Sequence, residues 1–96
     1  LQGASLYGAK LKGTNLSNSN LREVTLDSAN LDGADLSNTN LEDSFAYSTQ
    51  FNNVEIEGAD FTNVYLPNDV IRSFCEKANG VNPFTNRDTR ETIGCD

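Results

Sequence analysis

The side chains that could do chemistry in this 96-residue chain are two cysteines and 14 carboxylates, with no histidine among them. Without His the commonest general base and the commonest metal ligand are missing, and no Ser-His-Asp arrangement can be assembled. Cys75 and Cys95 therefore lack the partner that activates a nucleophilic thiol. Two cysteines so far apart, with no His, are a poor zinc signature. They suit a disulfide, which loop-closure entropy makes worth about 3 kcal/mol; two inert buried thiols are the alternative. A disulfide would argue for an oxidising compartment. Asp27, Asp32, Asp35, Glu42, Asp43, Glu55, Glu57 and Asp60 are the carboxylates of the central stretch. Acid–base use would need a cleft that splits two of their pKa values, and none of their spacings is that of a calcium loop. We therefore nominate no catalytic, cofactor-binding or metal residue and expect no enzyme.

Net charge and hydropathy exclude more. At −7 the chain has no general attraction for nucleic acid or an anionic membrane surface. No apolar run exceeds three residues, too short for a membrane span. Hydrophobic residues make up only 36%, low for an ordinary small globule, so something other than a conventional core must organise the chain.

That something is a period of five. Leu1, Leu6, Leu11, Leu16, Leu21, Leu26, Leu31, Leu36 and Leu41 are followed, after Ala46, by Phe51, Ile56, Phe61 and Leu66. Neither helix nor simple strand has this period, and fixed self-similarity reads as a repeat architecture. Two residues before each large side chain stands a small or β-branched one, such as Ala4, Ala29, Ala34 or Val54. In extended chain both point the same way, so each repeat turns one large and one small side chain inward. The residue between them (Asn15, Asn20, Asn30, Asp35, Asn40, Asp60) should point outward. Two residues after each large side chain comes Gly or Asn in most repeats, the residues that tolerate a left-handed corner. The exceptions, Glu23, Ser28, Asp43 and Ser48, pair at a spacing of twenty. This suggests two corners of one turn chemistry and two of another in a four-sided coil of four pentapeptides.

The run through residues 1–66, for instance Ala29-Asn30-Leu31-Asp32-Gly33-Ala34-Asp35-Leu36, resembles the pentapeptide repeat family. The resemblance implies an all-β solenoid: a right-handed quadrilateral β-helix of about three coils over residues 1–67. Its interior would hold ladders of large residues, with Leu16, Leu36 and Ile56 on one wall and Leu11, Leu31 and Phe51 on the opposite one. Ala46 departs from the pattern, a gap that a neighbour such as Phe51 would fill. No methionine is present and Leu1 is already in register, so we expect the native chain to carry more sequence before it. That sequence would include a targeting peptide, with further coil or a cap over the open edge.

Residues 68–96 read as a small helical cap within the same domain, since solenoid ends need covering. Asn68-Asp69 looks like an N-cap, and Val70, Ile71, Phe74, Cys75 and Ala78 share a helical face. Gly80 is a candidate stop, Asn82-Pro83 a turn, and Asp88-Thr89-Arg90-Glu91 a capping box opening a second helix that Gly94 ends. Cys75-Glu76-Lys77-Ala78, Gly80-Val81-Asn82-Pro83, Arg87-Asp88-Thr89-Arg90 and Gly94-Cys95 also resemble the tail of the thylakoid lumenal pentapeptide repeat proteins of plants and cyanobacteria. That resemblance implies a lumenal, oxidised setting reached through an upstream targeting peptide, and no enzymatic activity. The cap has few apolar residues of its own, so a Cys75–Cys95 bond would make it a lid that reduction loosens.

Assigning residues to four sides gives net charges of −3, −1, +1 and −3, with the two −3 sides adjacent. The second side carries Tyr7, Phe45, Tyr47 and Tyr65 at outward positions, and Phe45 and Tyr65 should stack on neighbouring coils. A solvated charged face with aromatics that strengthen cross-coil ladders is the plain reading; a protein-binding face is the functional one. The expectation is thus a monomeric, non-catalytic interaction scaffold, with a protein partner, no cofactor and no nucleic acid. The alternative is DNA mimicry of the gyrase-protecting kind. A rod of about 3.3 coils at ~4.8 Å each is roughly 16 Å long, under half of a ~34 Å duplex turn.

Overall fold

The computed structural model describes residues 1–95. Its body is a square coil of three-residue extended segments joined by tight corners. Parallel bridges link Ser5 to Thr25 and Thr25 to Phe45, Lys10 to Asn30 and Asn30 to Gln50, and Asn20 to Asn40 and Asn40 to Asp60. The offset is twenty residues throughout, so four pentapeptides close each coil. Leu21, Leu26, Leu31, Leu36 and Leu41 are buried, as are Ala29, Ala34, Val54 and Ala59 from the small positions. Leu6, Leu11 and Leu16 pack against this core half-buried, because the first coil has a neighbour on one side only. Phe51 and Ile56 are buried on the third coil. Ala46 is buried too, and Phe51 turns its ring edge-on to Phe74 at 5.5 Å.

The corners share one feature whatever their residue type. Every corner residue from Gly3 to Asn63 is left-handed, including Glu23 (φ 59°), Ser28 (62°), Asp43 (63°) and Ser48 (57°). Bonds such as Ala29 N–H to Leu26 O (2.9 Å) and Ala34 N–H to Leu31 O (2.9 Å) close the turns. A positive φ at the third residue of the turn is therefore common to all four sides. Ser, Asp and Glu adopt it at a cost because the coil ladders on both sides of each corner hold them there. The polar residue at mid-segment has a role beyond solubility. Oδ1 of Asn15, Asn20, Asn30, Asp35, Asn40 and Asp60 accepts the N–H two residues on, at 2.9–3.1 Å. These Asx turns hold the chain into the corner.

The cap contains helices α1 (Asn68–Lys77) and α2 (Thr89–Ile93). Pro67, not Asn68 or Asp69, occupies the N-cap of α1, and no side chain caps it; the fixed φ of proline starts the helix directly. The helix also ends before Gly80, at an extended Ala78, because the chain must straighten for Asn79 O to reach Gly58 N–H (3.0 Å). Asp88 caps α2 by accepting from Arg90 N–H (2.9 Å), and a left-handed Gly94 (φ 91°) closes it. Phe74 of α1 is buried against Phe61, ring centroids 5.3 Å apart. The Sγ atoms of Cys75 and Cys95 are 1.97 Å apart, a disulfide joining α1 to the residue after Gly94.

Candidate functional site

The four outward aromatics lie in two adjoining columns of one side. Ser5, Thr25 and Phe45 form the mid-segment column by successive bridges, and Tyr65 continues it by register. Tyr7, Asp27 and Tyr47 occupy the corner column beside it. Tyr7 is 69% exposed, Phe45 51%, Tyr47 53% and Tyr65 58%. The stacked pair is Tyr47 with Tyr65, ring centroids 5.4 Å apart and planes within 20°, and not Phe45 with Tyr65 as the column rule suggests. The diagonal neighbour across adjacent rungs is within reach of an aromatic side chain, and an offset stack is a favoured geometry for two rings. Asp27, between Tyr7 and Tyr47 in its column, accepts the Tyr47 N–H through Oδ1 at 2.9 Å. On the other flank stand Glu23, bonded to Gln2 Nε2 (3.0 Å), and Asp43, bonded to Asn63 Nδ2 (3.0 Å). The result is a strip of exposed rings with one carboxylate, Asp27, among them and two, Glu23 and Asp43, along one edge.

The rest of the charged surface is not where its sequence positions put it. Asp60 and Asn40, read as outward-pointing, are buried, Asp60 completely. The cap folds over them and brings Arg87 with it. Arg87 Nη1 lies 3.1 Å from Asp60 Oδ2 and 3.1 Å from Glu42 Oε1, while Arg22 Nε is 3.7 Å from the same Glu42 oxygen. Burial pushes the Asp60 carboxyl up, but hydrogen bonds from Thr62 and Thr85 and the Arg87 charge outweigh it and hold the group below its ordinary value. The carboxylate is therefore a fixed anion tying cap to coil, not a proton carrier. Arg87 thus joins Arg22 among the carboxylates of one acidic side.

Asn82, read only as part of a turn, is the residue that sequence reasoning missed. Its side chain is buried, donates to Thr39 O (2.8 Å) and Gly58 O (3.0 Å), and accepts from Phe84 N–H (2.9 Å) and Thr85 N–H (3.0 Å). Both amide donors and both acceptor lone pairs are used. Around it Thr92 Oγ1 accepts from Phe61 N–H (3.1 Å), Lys77 Nζ donates to Val54 O, and Arg90 Nη1 donates to Cys75 O (2.7 Å). At Val54, Gly58 and Phe61 the cap thus pairs main-chain groups of the last coil that would otherwise be an open edge, while the Arg90 bond ties the cap to itself. Gly58 and Gly80 permit the close approach: a Cβ on Gly80 would lie 3.1 Å from Gly58 N. The only signal in the sequence was a pair of glycines in otherwise unremarkable places.

Among the described residues no three His, Cys, Asp or Glu side chains converge to hold a metal ion, and no helix is long and apolar enough to cross a membrane. A hollow of about 190 Å³ lies between the coil and the cap loop, lined by Asn18, Ser19, Asn20, Asn40 and Phe84; it brings together amides and the Ser19 hydroxyl but no ionisable side chain.

Four-sided coiling at twenty residues, an interior of stacked Leu and small residues, and an end closed by a helical cap define a capped β-solenoid. The family model for pentapeptide repeats, eight copies long, matches residues 1–38 and again 29–66. The chain belongs to the pentapeptide repeat family, whose fold is the right-handed quadrilateral β-helix. Among solved structures it is similar to a pentapeptide repeat protein from the Arabidopsis thaliana thylakoid lumen, with 40% identity and a TM-score of 0.93. The match covers 97% of this chain and 65% of that one, so this chain spans about two-thirds of its relative's length. No curated protein sequence matches it.

Proposed function

We propose that the protein is a non-catalytic scaffold of the thylakoid lumen that presents the Tyr7–Phe45–Tyr47–Tyr65 strip to a partner protein. The observation that carries this reading is the strip itself. Four rings stand more than half exposed on one side of a small polar rod, and two of them are held rigid by stacking. Tyrosine in such a setting supplies contact area at low entropic cost. The lumenal assignment rests on likeness to a lumenal relative and agrees with the Cys75–Cys95 bond, which persists in an oxidising compartment. DNA mimicry is the weaker reading, because Arg22 and Arg87 engage the carboxylates of one acidic side.

The test places a photo-crosslinking residue at position 47 and, as a control, at position 52 on another side, in protein added to lumenal extract. A discrete adduct from position 47 alone, lost on Tyr65→Ala, is the expected result. Identical adduct patterns from the two positions would refute a dedicated face. Detection of the endogenous protein outside the lumen, in fractionated thylakoids, would refute the location.

A further inference from the structure

The strip constrains what can lie on it, and we propose that its occupant is a basic, proline-rich segment of the partner in the polyproline II conformation. This rests on the reading of the strip as an interaction face and names the chemistry of its partner. The backbone beneath the rings is already committed: Thr25 N–H bonds Ala4 O, Phe45 N–H bonds Val24 O, and Leu6 and Leu26 N–H bond Thr25 O and Phe45 O. Between the coils a partner strand therefore finds no free main-chain groups; the unpaired ones lie at the two ends of the strip, at Ser5 and Tyr65, so strand addition there could not cover the face that carries the four rings. A polyproline II segment needs none, since it has no internal hydrogen bonds and a run of proline has no N–H to satisfy.

The spacing fits as well. Tyr7 and Tyr47 stand two rungs apart in one column, about 9.6 Å at the usual ~4.8 Å between strands. A polyproline II turn repeats every ~9.3 Å, so pyrrolidine rings one turn apart meet successive tyrosines. Tyr47 and Tyr65, stacked at 5.4 Å, form a preformed ridge for such rings, and the phenol hydroxyls can donate to the exposed carbonyls of the segment. Charge sets the flanks. Asp27 lies between the two tyrosines, Glu23 and Asp43 border the edge away from Lys10 and Lys12, and no lysine or arginine occupies the ring-bearing columns. Lys or Arg beside the prolines is the complementary choice.

The experiment is an NMR titration of the whole chain with a decaproline flanked by two arginines at each end. Shift changes confined to the strip are expected, with affinity reduced at least tenfold by Tyr47→Ala and two- to threefold by Tyr47→Phe, which keeps the ring. Glu23→Gln with Asp43→Asn should flatten the salt dependence while thermal stability stays unchanged. No perturbation at millimolar peptide overturns the proposal. So does equal binding of an arginine-flanked Gly-Ser peptide, which would reduce it to charge, or preferential binding of cellohexaose, which would make the rings a sugar platform. Should position 47 still crosslink a protein while the proline peptide leaves the strip unperturbed, the interaction face stands and only this occupant falls; loss of both removes the face.

Discussion

Replacing Asn82 by Ala tests whether the cap is held by hydrogen bonding to the coil edge or by apolar contact alone. The substitution removes four hydrogen bonds from a fully buried side chain. Thr39 O keeps a second donor, Asp60 N–H at 2.9 Å, so its loss is partial. Gly58 O is left buried without its amide partner, which costs ~1–3 kcal/mol, and the Phe84 and Thr85 N–H groups, close to solvent, lose ~1 kcal/mol each. The total is about 3–5 kcal/mol. Because the coil ladders are untouched, the loss should appear as opening of the cap and not as global unfolding. At ~1.4 kcal/mol per decade, amide exchange of residues 79–88 should accelerate by roughly two to three and a half orders of magnitude while the coil interior keeps its protection. Asn82→Asp sharpens the test: it keeps the acceptor but turns a carboxylate toward two carbonyls. Its pKa is then raised on folding, so that variant should be weak at pH 7 and recover as pH falls, when the acid protonates and donates once more. A cost below ~1 kcal/mol for Asn82→Ala, or exchange that speeds up equally in coil and cap, would show that the amide is not what joins them.

Four further outcomes follow from the same geometry. Leu36→Ala should cost ~2–5 kcal/mol in chemical denaturation, and Leu11→Ala clearly less, since Leu36 is sealed in mid-coil and Leu11 is half-buried; equal costs would contradict the burial gradient. Ser48→Gly relieves a left-handed serine (φ 57°) and should stabilise by ~0.5–1 kcal/mol, a rise in melting temperature being the readout and a fall the refutation. Asp60 has its pKa depressed on folding, so its contribution is present above the unfolded value near 3.8 and is lost as pH falls below it; Asp60→Asn should be destabilised at pH 7 and show a flatter acid limb, and an unchanged limb would exclude this carboxylate. Reduction of Cys75–Cys95 should remove up to ~3 kcal/mol, read as faster exchange across residues 69–95 only; uniform protection before and after reductant would remove any redox-sensitive lid.

What was legible in the sequence was the part of the fold that repeats. Leu21, Leu26 and Leu41, and Ala29 and Ala34 beside them, enter the core because each has the same neighbours one coil above and one below, so a single rule acts at every rung. The corners needed the structure. Intrinsic preference argues against left-handed Glu23 and Ser28, yet the ladders on each side impose a positive φ on both and override it. The aromatic strip was visible as four positions on one side, but the pair that stacks was not, since ring packing follows the diagonal between rungs as well as the column.

The sequence by itself determined the period, the four-sided coil, the placement of large and small side chains inside it and the absence of histidine chemistry, because all of these depend on residue types at fixed short spacing. Only the tertiary structure decided how the cap meets the coil. Asp60 became a buried anion under Arg87, Asn82 a four-bond clamp, and Gly58 and Gly80 a point of contact. None of these residues differs in type or local pattern from its neighbours. Their roles arise where a non-repeating segment lands on the end of a repeating one, and that contact obeys no period: it is set by which backbone groups the last coil leaves unpaired and which side chains fold within reach of them.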